Sequence, residues 1–109
     1  MSNLSTFDVT KLDVSDIVQC LVNSHYEVAP RDVKFAKDHD LCKFSHCDRG
    51  NAYFIVVFRG DDGEFIASDI TVNFGSSGKL VAEFGGCPRF ETTDEDEMLE
   101  WWDELLKKY

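Results

Sequence analysis

The sequence is short of bases and of long apolar runs, and it lacks the commoner catalytic signatures. Only 11 Lys and Arg stand against 21 Asp and Glu, for a net charge of −10. A body this acidic repels phosphate backbones, so direct nucleic-acid binding and adhesion to anionic membranes are disfavoured. The longest uninterrupted apolar run, Ala52 to Phe58, is seven residues and far too short to span a membrane. Met1 to Asp8 holds no base and no apolar stretch, unlike a secretory leader. The expected compartment is therefore the cytoplasm, where Cys20, Cys42, Cys47 and Cys87 stay reduced.

The chain has no Gly-x-Ser-x-Gly elbow and no His-Glu-x-x-His helix. Gly75-Ser-Ser-Gly-Lys79 imitates a phosphate loop, but only two residues separate its glycines and Leu80 follows the lysine. It also joins two expected strands, so no helix N-terminus is there to hold a phosphate. A hairpin turn is the better reading. The chain is expected to be neither an enzyme nor the holder of a cofactor.

What is present is a core. The 109 residues are 43% apolar and include nine Phe, three Tyr and two Trp, enough for one close-packed domain over residues 1–109 and too hydrophobic for disorder. Val14, Ile17, Val18, Leu21 and Val22 follow helical spacing behind Asp13, a suitable N-cap, which predicts a helix over 13–25. His25 would close it as a cation favoured by the helix dipole or as a core-edge residue. Residues 26–40 fit a short helical turn or an extended link, with Pro30 breaking whatever precedes it.

From Leu41 the period becomes two. Runs at 41–46, 52–59, 64–74 and 79–84 are separated by turn-rich stretches at 48–51, 60–63 and 75–78, the pattern of a four-stranded antiparallel meander. After a loop at 85–89, Thr92 and Glu95 have capping-box spacing. Met98, Leu99, Trp102, Leu105, Leu106 and Tyr109 then form an apolar helical stripe. The expected architecture is α+β in the order α-ββββ-α, a two-layer single domain with one sheet face covered.

The last helix carries the least ordinary feature. Glu91, Asp94, Glu95, Asp96, Glu97, Glu100, Asp103 and Glu104 fall within fourteen residues that contain no base. Glu97, Glu100 and Glu104 share one helical stripe, and Asp96, Glu100 and Asp103 share its neighbour. At a rise of ~1.5 Å per residue, Glu100 and Glu104 lie about 6 Å apart along the axis, near the repeat of phosphates on a strand. A solvated face that keeps the protein soluble is the plain alternative. Trp101 is turned about 100° from Trp102, towards the acids, and could anchor a partner or cover the edge of the sheet.

A second cluster holds His39, Cys42 and Cys47, with Cys87 behind a Gly-Gly pair; these are borderline or soft ligands of the type zinc requires. Their spacing is not that of a zinc knuckle, and regular alternation would send Cys42 and Cys47 to opposite faces of a strand. Metal-free protein is the expectation.

These features favour a small non-enzymatic inhibitor that binds a basic protein or nucleoprotein complex through carboxylates, as a DNA mimic. In size, acidity and lack of catalytic motifs the chain is similar to phage anti-CRISPR and other anti-restriction proteins, although no motif ties it to one family. A cytoplasmic secretion chaperone or a toxin-immunity protein is the alternative. Type III secretion chaperones, however, place a helix between strands, and this sequence shows none there.

Overall fold

The computed structural model describes residues 11–26, 28–76 and 78–108. Met1 to Asp8, Ser77 of the third turn and Tyr109 of the apolar stripe lie outside them. Three helices and five strands follow one another as α1 (Val14–Asn23), α2 (Pro30–His39), β1 (Cys42–Asp48), β2 (Asn51–Arg59), β3 (Phe65–Phe74), β4 (Leu80–Phe84), β5 (Phe90–Thr92) and α3 (Glu95–Leu106). The α+β class and the antiparallel meander agree with the sequence reading. The element order is richer by one helix and one short strand.

α1 begins as expected. Asp13 accepts a hydrogen bond from the Asp16 amide at 2.9 Å, and the Asp16 carboxylate accepts one from the Asp13 amide at 3.0 Å. This reciprocal cap satisfies two amides that the helix leaves unpaired. The buried face is Val14, Ile17, Cys20 and Leu21, whereas Val22 is 50% exposed. Cys20 rather than Val22 completes the stripe, because the side that holds Val14 and Ile17 turns away before residue 22. His25 is exposed with φ +69°, in the turn that ends the helix.

α2 is the helix that residues 26–40 left open. Pro30 starts it, as suits a first-turn residue whose missing N–H has no partner to lose. Asp32 accepts from the Ala29 amide at 2.9 Å, and Asp40 in the left-handed region stops the helix. Val33, Phe35 and Ala36 are buried.

The sheet runs β1-β2-β3-β4, with every neighbouring pair antiparallel. β3 has partners along its whole length. β2 pairs with Phe65–Val72 on one side, while β4 pairs with Ile70–Phe74 and β5 with Phe65–Ala67 on the other. β4 and β5 therefore lie end to end along one edge. Between them the chain swings out at Gly85, whose amide donates to the Asp69 carbonyl at 2.8 Å. A Cβ at Gly85 would sit 2.9 Å from that of Asp69, so the close approach requires glycine. Arg89 Nε to Asp69 Oδ1, 2.7 Å, ties the loop back.

The centre of β2 corrects the two-layer expectation. Phe54, Ile55, Val56, Val57 and Phe58 are all buried, although successive strand residues point to opposite faces. Both faces of the central sheet are thus covered. α1 lies towards the face of Phe54 and Val56, where Tyr26 just beyond it meets Phe84 edge-on at 5.6 Å. α3 lies towards the other face, where Trp101 stacks on Phe90. The outer edge of β4 is closed by the end of α1: Asn23 donates to the Leu80 carbonyl at 2.9 Å, and the Ala82 amide donates to Ser24 Oγ at 2.8 Å. Such bonds remove a free edge that could recruit another strand.

Candidate functional site

The acidic helix α3 starts two residues later than the capping-box spacing implied. Thr92 still pairs with Phe65 across β5 and β3, so the backbone there is extended and cannot begin a helix. Asp94 takes the N-cap position instead, its Oδ1 accepting from Asp96 N at 2.9 Å and Glu97 N at 3.3 Å. Thr92 serves one step earlier, with Oγ1 accepting from Asp94 N at 3.1 Å. Glu95, Asp96 and Glu97 then occupy the first turn, where the helix dipole favours negative charge.

Met98, Trp102 and Leu105 hold the helix to the core, with Leu99 and Trp101 partly buried beside them. Leu106 does not belong to this stripe and is 42% exposed. The opposite side is carboxylate: Asp94, Glu95, Asp96, Glu97, Glu100, Asp103 and Glu104 are all exposed. Among the described residues, only Glu104 of this set has an ion pair, to Lys107 Nζ at 3.2 Å. That pair is solvent-facing and contributes little.

Two members of the sequence-derived set sit differently. Glu91 lies opposite Ile66 and so faces away from its neighbours Phe90 and Thr92. It joins Glu64 and Asp62 at the β2–β3 turn; burial first, then Glu91 and Asp62, raises the Glu64 carboxyl above its ordinary value. The structure thus carries two acidic groups, one on α3 and one at this turn. Trp101 is half-buried and stacks on Phe90, with ring centres 5.3 Å apart and planes 5° from parallel. It covers the sheet beside β5 while keeping part of its ring at the surface near the acids.

The cysteine–histidine cluster does not assemble. No group of three or more His, Cys, Asp or Glu able to hold a metal ion occurs among the described residues. His39 hydrogen-bonds through Nδ1 to the Phe35 carbonyl at 3.0 Å and packs on the Phe35 ring at 4.3 Å. An irregularity between Phe44 and His46 inserts Ser45 into β1, so Cys42 pairs with Val56 and Cys47 with Ala52. Partners four apart share a face, so the bulge cancels the alternation that placed the two cysteines on opposite sides. They remain separated by about 13 Å of strand, too far for one ion. Cys87 is exposed in the loop before β5.

The four thiols differ in access and chemistry. Burial pushes the Cys42 thiol up to about 12, helped by the negative charges of Asp13, Asp40 and Asp16. Burial, then Asp16, also raises Cys20. Since the thiolate is the nucleophile, iodoacetamide at pH 8 should label Cys47 and Cys87 and spare Cys20 and Cys42 until denaturant is added. Mass spectrometry after timed labelling checks this, and early modification of Cys42 would contradict the burial of its thiol.

No helix among the described residues is long and apolar enough to cross a membrane. No family model, no curated protein and no solved structure matches this chain.

Proposed function

We propose that the chain is a small non-enzymatic inhibitor that docks α3 on the basic surface of a nucleic-acid-handling protein, its carboxylates standing where phosphates would. The observation that carries this reading is the division of α3 into two faces. One is buried through Met98, Trp102 and Leu105, while the other presents exposed carboxylates that are almost free of counter-ions. Like charges four residues apart cost a helix a few tenths of a kcal/mol each. Capping and dipole effects offset that in the first turn, but they fade before Glu100, Asp103 and Glu104. Glu100 and Asp103 have no ion pair among the described residues and Glu104 has only the solvent-facing one to Lys107, so a basic partner would supply the counter-charge that the fold leaves out.

The action would be occlusion. Carboxylates spaced about 6 Å apart along the axis enter an Arg/Lys groove, speed the encounter through long-range attraction and exclude the natural ligand. Affinity capture from a host lysate, with the bound protein identified by mass spectrometry, tests the reading. A basic nuclease or nucleic-acid-binding complex, released by moderate salt, is the expected catch. Capture of a secreted effector instead would favour a chaperone.

A further inference from the structure

Away from the acidic helix, a cavity of about 400 Å³ opens where the start of α2 overhangs the sheet. Its floor comes from adjacent strands: Phe58 of β2, Ile66 and Ser68 of β3, and Phe84 of β4; Val28 and Arg31 form part of its wall. These four floor residues share one face, as the pairings Phe58–Ile66, Val56–Ser68 and Ile70–Phe84 require. The volume falls within the range of small-molecule sites.

Two observations point to a ligand. Ser68 is the one polar residue counted as buried among the described residues, at 9% exposure, and its hydroxyl makes no hydrogen bond to any of them. The hydroxyl lines the cavity and is reached from it, since no side-chain polar atom sealed from solvent lacks a partner among the described residues. The aromatic lining is also left open. Phe84 meets Phe58 edge-on at 5.5 Å, yet Phe84 is 40% exposed.

The rim defines the charge of what would fit. Arg31 is paired with Asp61 at 2.7 Å, and Asp32 accepts from the Ala29 amide. Two cations, Arg31 and Arg59, and two carboxylates, Asp32 and Asp61, line the mouth, so its charges balance, and the net charge of −10 disfavours an anion. We propose that this cavity binds a small, uncharged aromatic molecule whose single hydroxyl pairs with Ser68. The ring would pack against Phe58 and Phe84, for which edge-to-face and offset contacts are favourable.

The test uses p-cresol and toluene, which share a ring and differ by one hydroxyl. Each is titrated to millimolar concentration into ¹⁵N-labelled full chain while amide shifts are followed. Saturable shifts centred on Gly60, Ile66, Ser68 and Phe84 are expected for both probes. Ser68→Ala should weaken p-cresol about fivefold, the worth of one hydrogen bond, and leave toluene unchanged. The substitution removes an unpartnered hydroxyl, so it should not harm the fold. Ile66→Trp should fill the cavity and abolish both titrations. Should that variant fail to fold, the Ser68→Ala comparison decides alone. Scattered or non-saturating shifts, or equal effects of Ser68→Ala on the two probes, would overturn the proposal.

Discussion

The combined substitution Glu97→Lys, Glu100→Lys and Glu104→Lys is expected to abolish binding to the captured basic partner and to preserve the circular dichroism spectrum. At an interface the reversal sets like charges against one another, at a cost of several kcal/mol, or about a thousandfold or more in affinity. The fold should survive because all three side chains are exposed and Met98, Trp102 and Leu105 hold the helix from the other side. Exposed substitutions usually shift stability by about 0.5 kcal/mol or less. Wild-type binding should also fall steeply with salt, since attraction between exposed charges acts over roughly 10 Å at 0.1 M. Asp61→Lys with Asp62→Lys is the control. It changes the turn that carries the second acidic group, near Glu64 and Glu91, and leaves α3 untouched. Loss of affinity in the control alone would move the interface to that turn. Unchanged affinity of the triple variant would leave α3 as a solubility face.

The largest loss of stability is expected from Trp102→Ala. Trp102 is 4% exposed and sits in the middle of the three side chains that fix α3 to the core. Truncating a buried Trp typically costs about 3–5 kcal/mol, combining lost burial with an unfilled cavity. Domains of this size are stable by only about 5–15 kcal/mol, so the urea midpoint should fall sharply. Leu106→Ala, four residues on and 42% exposed, should change the midpoint little. A Trp102→Ala protein with wild-type stability would mean that α3 is not held as described.

The parts of the fold legible in the sequence are those where local chemistry and packing agree. Asp13 caps α1, and Arg49 and Gly50, both at positive φ, turn β1 into β2 inside the stretch read as a turn. α2 was not legible, because Val33, Phe35 and Ala36 are too few among polar neighbours to show a period. Only packing against the sheet makes those residues helical. β5 escaped for a different reason. Its three residues pair with β3, distant in sequence, and no local pattern records such a pairing. The same pairing moved the start of α3 from Thr92 to Asp94 and turned Glu91 away from the helix acids. In the candidate site, the carboxylates of α3 could be read from composition and spacing, whereas the bulge at Ser45 that set the faces of Cys42 and Cys47 could not. The cavity beneath α2 left no trace in sequence either, because its floor comes from three strands.

The shared edge of β3 has a kinetic consequence. β1 to β4 form by successive hairpins, each closing a short loop, so that part of the sheet can assemble from local contacts alone. β5 must return past β4 to reach Phe65, Ile66 and Ala67, and it brings α3 with it. Loop-closure entropy sets the late place of such a segment in assembly. Contacts absent from the transition state govern how fast a protein unfolds, not how fast it folds. Truncation of the α3 anchors Met98, Trp102 or Leu105 should accordingly move the unfolding limb of a chevron plot and leave the refolding limb still, whereas changes at Phe54 or Ile70 should move the refolding limb. A refolding limb that responded to α3 would place the helix in the nucleus. With the helix docking last, the acidic surface is free to change in charge and length without slowing the assembly of the sheet that carries it.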